Sequence, residues 1–276
     1  MLTRLQNIFL ATKNIEKTSK QFSSFFSKNP DFVGHSKNLG IDIIVYDISK
    51  TNICLICPKN NGFWFDSLSN FLKEKGEGIF GVNFSSDDID KDYSNFVKNG
   101  LEVNEKNESN FESSKESQLK FSFFNIMDNS IDNLNILVSN EINFSKKGIN
   151  SIDRISKVNQ LVIQTEFPDS IIDIFEKKLN IRLALDKTFK EWSGRMLFFR
   201  IGGVTLEVIE GKNIKLNSEY FGIGWHTNNF NKCYNDLVEE GLKLSEIRKG
   251  RKKGTIVSTL KNPMLNIPTI LIGLEE

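Results

Sequence analysis

GVNFSSDDIDKDYSNFVKNGL, residues 81–101, and GIGWHTNNFNKCYNDLVEEGL, residues 222–242, are two degenerate copies of one stretch that align without a gap. The copies agree in pattern more than in identity. Their matched positions are Gly81/Gly222, Phe84/Trp225, Asp88/Asn229, Tyr93/Tyr234, Val97/Val238 and Gly100/Gly241. Each copy predicts a strand, a capped turn, a helix and a glycine that ends the helix. Such internal similarity predicts a duplicated architecture.

Two more pairs of segments extend this duplication along the chain. LQNIFLAT at 5–12 matches VNQLVIQT at 158–165, and ICLICP at 53–58 matches LEVIEG at 206–211, with one constant offset. The chain therefore divides into four modules, at about 1–60, 76–140, 152–211 and 219–276. They group into two similar halves, predicted as domains 1–142 and 150–276, with the tract from Asn140 to Ser151 as the linker.

The periodicity within each module predicts a strand, a helix and three further strands. In the first module, residues 5–11 alternate as a strand, and Ile15, Phe22, Phe25 and Phe26 then share one helical face. In the third module, Gly202-Gly203 predicts a tight hairpin between two strands. The polar tract 104–117 shows no period and predicts a loop.

Composition limits the classes of partner. The 276 residues suffice for two domains, and a net charge of +1 gives no electrostatic signature of nucleic-acid binding. Only three cysteines are present, and no apolar run reaches the roughly 18 residues of a membrane span. We therefore expect a cytoplasmic monomer or homodimer that binds neither nucleic acid nor membrane, and whose ligand is a small molecule.

The module order, the strand–turn–helix repeat and the segment FFRIGGVTLEVIEG at 198–211 together resemble the vicinal oxygen chelate superfamily. This superfamily contains glyoxalases, bleomycin-resistance proteins and extradiol dioxygenases. The resemblance implies an α+β fold of two tandem glyoxalase-like domains, in which two βαβββ modules form a cupped mixed sheet.

The resemblance also implies where metal ligands would lie, on the first and last strands of each module. In the first half the matching residues are Asn7, Cys54, Gly81 and about Leu137, and in the second half they are Gln160, Glu207, Gly222 and Gly273. Two oxygen ligands without imidazole hold a first-row metal weakly. We therefore predict no cofactor. If a divalent metal does bind, Gln160 and Glu207 are its ligands.

Glu207 is the strongest candidate for chemistry. Strand alternation places Thr205, Glu207 and Ile209 on one face of the predicted strand. A carboxylate that faces the cup is desolvated, so its pKa rises, which suits a general base. The alternative is a carboxylate at a sheet edge that pairs with a lysine or arginine.

Four further residues are predicted to contact a ligand, each with a structural alternative. His226 shares strand parity with Gly222 and Gly224, and either contacts substrate or satisfies a buried polar site. Beside it, the two glycines admit either a ligand or an aromatic side chain such as Trp225.

The basic tract EIRKGRKKG at 246–254 is either a solvated hairpin or an anion-binding loop that uses Arg248 and Arg251. We predict that His35 is a surface residue in a connecting segment. Cys54 and Cys57 lie three apart in a strand, and so predict core cysteines rather than a chelate.

These features predict a protein that binds a small, anionic carbonyl compound in the carboxyl-terminal cup. If it is an enzyme, it is a metal-independent lyase or isomerase with Glu207 as base. In that case Gln160 and His226 orient the substrate. The alternative is a non-catalytic protein that sequesters a small molecule, as resistance-type members of the superfamily do.

Overall fold

The computed structural model describes residues 1–113, 118–131, 133–144, 154–189, 194–211 and 217–275. The amino half contains β1 (Leu2–Ala11), α1 (Ile15–Phe26), β2 (Phe32–Ser36), β3 (Ile41–Ile48), β4 (Thr51–Pro58), α2 (Phe65–Glu74), β5 (Gly78–Ser86), α3 (Ile89–Lys98), β6 (Asn107–Ser113), β7 (Gln118–Ile126) and β8 (Asn135–Asn140). The carboxyl half contains β9 (Lys157–Thr165), α4 (Pro168–Ile172), β10 (Arg182–Phe189), β11 (Gly194–Ile201), β12 (Val204–Glu210), β13 (Ser218–His226), α5 (Phe230–Glu239), β14 (Arg248–Lys249), β15 (Thr255–Thr259) and β16 (Thr269–Leu274). A π-helical segment, Asp173–Lys178, continues α4. Among the described residues, no helix is both long and apolar enough to cross a bilayer.

The duplicated strand–turn–helix is confirmed in both halves. Asp88 and Asn229 cap α3 and α5, each accepting a hydrogen bond at 3.0 Å from the backbone N–H three residues on. Both helices stop before a glycine with positive φ, 75° at Gly100 and 88° at Gly241. The predicted hairpin at Gly202-Gly203 is also present, and it joins β11 to β12.

The two halves have the same strand order but differ in closure. The strands of the amino half follow the order β1-β4-β3-β2-β6-β7-β8-β5 and close into a barrel. The carboxyl half has the equivalent order, β10-β11-β12-β9-β13-β16-β15-β14, and stays an open sheet whose end strands are β10 and β14. The predicted α+β fold of two tandem domains, each built from paired βαβββ modules, is therefore confirmed. The amino-terminal cup is a closed barrel.

A short seam between β2 and β6 closes the amino-terminal barrel. Gly34 pairs with Ser113, and His35 pairs with Glu112, whose Oε2 lies 3.5 Å from His35 Nε2. The prediction of a surface residue therefore holds in part, since the His35 side chain is 33% exposed. It lies within a strand, half-buried, with an acidic neighbour.

The tract predicted as a loop at 104–117 contains β6. Ser109 and Phe111 are buried, and the residues between and beside them are more exposed, so this strand has a period of two that its many Asn, Glu and Ser residues conceal. The last part of the tract, 114–117, lies outside the described residues. This polar strand is stabilised by pairing with β7 on one side and with β2 on the other. β2 is distant in sequence, so no local pattern predicts that pairing.

A single hydrophobic cluster joins the back faces of the two sheets. Trp225 on β13 lies edge-on to Phe25 and Phe26 of α1, with ring centroids 5.7 and 5.4 Å apart. Beside it, the guanidinium of Arg154 donates to the Ser24 carbonyl of α1 and pairs with Glu240 after α5. The halves therefore share one core, contributed by sheet backs and helices.

The cup of the amino half is filled by its own side chains. Cys54 and Leu137, which face the cup, belong to a second buried cluster with Phe32, Phe111, Phe121, Phe123, Ile142 and Phe144. Gln6 holds the backbone of Ile142, donating to its carbonyl at 2.9 Å and accepting from its N–H at 3.2 Å. The described part of the predicted linker, up to Phe144, therefore packs in the amino half. The rest of that linker, 145–151, lies outside the described residues.

Close strand approach explains Gly81 and Gly222, two of the positions where the resemblance implies metal ligands. A Cβ on Gly81 would lie 2.6 Å from the Asn135 carbonyl oxygen, and one on Gly222 would lie 2.6 Å from the Pro268 carbonyl oxygen. The neighbouring atom is backbone in both cases, so it cannot move away cheaply.

We expect Gly222→Ala to lower the free energy of unfolding by about 1–3 kcal/mol. The new methyl group would collide with the backbone carbonyl oxygen of Pro268, the residue just before β16. Gly78→Ala is the matched control. It changes a glycine in the corresponding strand β5 where an added Cβ meets nothing within 4 Å, and we expect no loss there. Urea unfolding measures both. Equal stability of the two variants would show that the close approach carries no cost.

Candidate functional site

Glu207 and Gln160 lie side by side on the concave face of the carboxyl-terminal sheet. They come from β12 and β9, which are parallel neighbours, and the Gln160 side-chain amide donates to Glu207 Oε2 at 2.5 Å. Leu206 and Val208 point to the other face, into the shared core, and thereby fix the orientation of Glu207. β12 lies inside the sheet, so Glu207 is not at an edge as the alternative supposed, although it does pair with an arginine, Arg251.

Gly224 makes room for Gln160. A Cβ at Gly224 would lie 2.6 Å from Gln160 Cγ and 3.2 Å from Ile272 Cδ1. The bare side of β13 is therefore covered by the Gln160 side chain at Gly224 and by Pro268 at Gly222. No aromatic ring is among the atoms nearest to either glycine, and the alternative of a ligand at this strand stays a prediction.

Arg251 covers Glu207 from the opposite side. It lies in the turn between β14 and β15, and its Nη1 is 3.7 Å from Glu207 Oε1 and 4.0 Å from Met196 Sδ. The Arg251 side chain is 62% exposed and that of Glu207 only 7%. The basic tract 246–254 is thus a hairpin, and one of its arginines reaches the cup.

Burial determines the proton affinity of this carboxyl group. Burial raises the pKa of Glu207 above its ordinary value, and the positive charge of Arg251 opposes part of that rise. Burial in turn lowers the pKa of Arg251. The charge of Glu207 opposes this effect, and the charge of Arg248 adds to it.

The structure does not bring all predicted site residues together. His226 Nδ1 lies 2.8 Å from the Ser156 hydroxyl, at the start of the carboxyl half, and burial followed by the charge of Lys157 lowers the pKa of His226. This contact fits the alternative of a satisfied polar site. Arg248 donates to the Ser245 and Thr259 hydroxyls at 3.1 and 3.0 Å.

Trp225 corrects a prediction. It is 1% exposed and lies in the core between the halves, on the face of β13 that points away from the cup. The repeat matches it with the buried core residue Phe84, and this match was the signal that pointed to its structural role.

The residues present do not fit a metal site of the superfamily type. Strand register also corrects one predicted position, because Gly81 pairs with Asn135 while Ile223 pairs with Thr269, so the equivalent of Leu137 is Ile270 rather than Gly273. The four positions in the carboxyl half are then Gln160, Glu207, Gly222 and Ile270, of which two can ligate. Among the described residues, no three His, Cys, Asp or Glu side chains cluster to hold a metal.

Sequence reasoning missed the wall of the cup. Phe198 on β11 lies opposite Glu207 on β12, and Leu185 on β10 lies opposite Phe198, so these side chains share the concave face. Leu185 is 45% exposed, since no described strand covers β10 on its outer side. Alternation along β11 could have placed Phe198 on the concave face. Alternation along β10 could not have placed Leu185 there, because a bulge between Leu183 and Leu185 reverses the faces of that strand.

Solved structures share this architecture at low sequence identity. A variant of 4-hydroxymandelate synthase from Streptomyces coelicolor is 9% identical, with a TM-score of 0.71 over 99% of this chain and 93% of that chain. A hypothetical protein from Staphylococcus aureus is 10% identical, with a TM-score of 0.67 over 98% and 99%. A xylose isomerase-like TIM barrel/4-hydroxyphenylpyruvate dioxygenase fusion protein is 9% identical, with a TM-score of 0.64 over 99% of this chain and 50% of that chain.

These likenesses show that the chain shares its fold of two tandem α+β domains with these proteins. No family model and no curated protein matches the sequence.

Proposed function

We propose that the carboxyl-terminal cup binds a small organic anion that contains a carbonyl group, and that Glu207 removes a proton from the carbon beside that carbonyl. The supporting observation is a carboxylate 7% exposed, with an amide on one side and a guanidinium on the other. The reaction class is a metal-independent isomerase or lyase.

Each side chain has a distinct part in this chemistry. The carbon–hydrogen bond breaks, the proton goes to a Glu207 oxygen, and the electron pair moves into a carbon–carbon double bond as the carbonyl oxygen becomes an enolate. A raised pKa makes Glu207 a stronger base near neutral pH. The Gln160 amide has a second N–H, which can donate to the enolate oxygen.

A second candidate function is sequestration of a small molecule without turnover. The exposed Leu185 and its cross-strand neighbour Phe198 favour this reading, because they offer an apolar wall to a planar compound. Both functions use the same cup, and the difference between them is whether Glu207 removes a proton from the bound molecule.

Binding and proton exchange can be measured together on the purified protein. We expect pyruvate and phenylpyruvate to bind saturably by calorimetry, and pyruvamide, which lacks the negative charge, to bind more weakly. In D2O, proton NMR should show loss of the C3 protons of the bound acids faster than in buffer. Phenylpyruvate is included because one similar structure carries the name 4-hydroxyphenylpyruvate dioxygenase.

Three outcomes separate the readings. Binding with exchange supports the base chemistry, and binding without exchange supports sequestration. Binding of none of the acids contradicts both at this site. Metal content of the same sample, measured by mass spectrometry, tests the prediction of no cofactor, and one mole of a divalent metal per mole of protein would contradict it.

A further inference from the structure

Two arginines lie side by side at the edge of the carboxyl-terminal cup. Arg182 on the end strand β10 is paired in register with Arg200 on β11, so the two side chains leave the sheet on the same face. On its other side Arg200 pairs with Thr205 of β12, and its guanidinium donates a hydrogen bond to the Thr205 hydroxyl. Thr205 shares its strand face with Glu207, because residues two apart in a strand point the same way. Both arginines therefore face the cup.

Neither Arg182 nor Arg200 forms an ion pair within the part of the chain that the structure describes. The one acidic residue of β10, Asp186, pairs with the core residue Leu197 and so points to the back of the sheet. There both of its oxygens accept hydrogen bonds from Arg195, at 2.7 and 2.8 Å. Like charges directly opposite each other destabilise a strand pair. The edge of the cup therefore holds two positive charges whose repulsion a bound anion would relieve.

The strand register sets this arginine pair beside the residues of the proposed function. Thr205 lies between Arg200 on β11 and Gln160 on β9. Glu207 follows Thr205 on the same face, about 7 Å further along β12 at the rise of an extended strand. A small ligand can therefore contact Arg200 with one end and the Gln160 amide and Glu207 with the other.

The arginine pair is open to solvent on an anchored strand. Arg182 and Arg200 are both exposed, and no described strand covers β10 on its outer side. Leu183, the residue after Arg182, packs against the core on the back of the sheet and holds this part of β10 in place. An anion can therefore approach both guanidinium groups without displacing another strand.

We propose that Arg182, Arg200 and the Thr205 hydroxyl form an anion-binding site that takes the carboxylate of the ligand of the cup. Each guanidinium donates to a ligand oxygen, and the Thr205 hydroxyl, which accepts from Arg200, still has its own hydrogen to donate. The site lies toward the opposite end of β11 from Met196, which Arg251 of the basic tract contacts. The identity of the ligand rests on the proposed function, whereas the anion site rests on the arginine pair.

Thermal unfolding in phosphate tests the anion site without any carbonyl compound. Potassium phosphate is compared with potassium chloride at equal ionic strength, so that general screening is matched. We expect phosphate to raise the unfolding midpoint of the wild type by about 2–4 °C more than that of the double variant Arg182→Gln/Arg200→Gln, because an anion that binds only the folded state stabilises it.

The double variant Lys249→Gln/Lys261→Gln is the matched control for net charge. Lys249 is 86% exposed on β14, the other end strand of the sheet, and Lys261 is exposed in the loop after β15. This control should respond to phosphate as the wild type does. Equal phosphate responses in the wild type and the double arginine variant, including no response in either, would overturn the anion site.

Calorimetry with pyruvate and pyruvamide tests whether the site takes the ligand's carboxylate. We expect Arg182→Gln/Arg200→Gln to weaken pyruvate binding roughly 10- to 100-fold and to leave pyruvamide binding unchanged, since only pyruvate is charged. Arg200→Lys should be intermediate, because an ammonium keeps the charge but not the planar set of donors. Unchanged pyruvate affinity in the double variant overturns the inference while the proposed function stands. If the wild type binds neither probe, the proposed function fails, and the phosphate experiment still decides whether the two arginines bind an anion.

Discussion

Glu207→Gln is expected to reduce the rate of proton exchange from a bound 2-oxo acid by roughly 10²- to 10⁴-fold, which is the usual contribution of a positioned general base. The amide has almost the shape of the carboxylic acid and can still accept from Gln160, so the acid should bind with nearly wild-type affinity. The measurement is loss of the C3 protons of pyruvate in D2O at saturating concentration.

Glu210→Gln is the control for this experiment. Glu210 lies on the same strand and accepts a hydrogen bond from the Arg195 backbone N–H at 2.9 Å, away from the cup. We expect its exchange rate to equal that of the wild type. Equal rates in the Glu207 and Glu210 variants would remove Glu207 from the role of base and leave sequestration as the function of the cup.

The pH dependence follows from the raised pKa of Glu207. Its carboxylate form is the active one, so exchange should increase with pH through a midpoint above the ordinary glutamate value of about 4.3. The same shift works against the folded state. Any stability that this group contributes is present below the unfolded pKa and lost as pH rises through the higher folded pKa. Glu207→Gln should therefore be at least as stable as the wild type at pH 8, which separates loss of activity from loss of folding.

Trp225→Ala is expected to lower the free energy of unfolding by about 3–5 kcal/mol, because it removes the largest fully buried side chain among the described residues and leaves a cavity in the core that the two halves share. Two edge-on ring contacts with α1 are lost together with the apolar burial. Urea unfolding followed by far-UV circular dichroism measures the change.

Two further variants show why Trp225 matters. Its Nε1 has no hydrogen-bond partner among the described residues, so Trp225→Phe loses volume but also removes an orphan donor, and should cost under about 2 kcal/mol. Phe221→Ala, on the same strand but 39% exposed, should stay within about 0.5 kcal/mol of the wild type. A loss at Trp225→Ala no larger than at Phe221→Ala would contradict a shared core.

The sequence predicted the site less completely than the fold. Glu207 was assigned to one strand face by alternation, which is a local property, and Gln160 was singled out by the superfamily resemblance. Their mutual hydrogen bond and the cover by Arg251 join residues 44 to 47 positions apart in the chain, and no local period reports such contacts. Trp225 was wrongly predicted to contact a ligand because it lies next to Gly224, which was expected to border the cup. The helix that buries it, α1, lies in the other half of the chain.

The sequence by itself determined the helix caps at Asp88 and Asn229 and the hairpin at Gly202-Gly203, since each depends on residues within a few positions of one another. It also determined the duplication and the module order, because these follow from comparing two stretches of the same chain. Tertiary structure alone decided that one cup is closed and the other open. In the amino half, the pairing of Gly34 with Ser113 closes a barrel that aromatic side chains and Phe144 then fill. In the carboxyl half, β10 and β14 remain the ends of an open sheet. Closure depends on contacts between distant strands, whose energy appears only when the whole sheet is assembled.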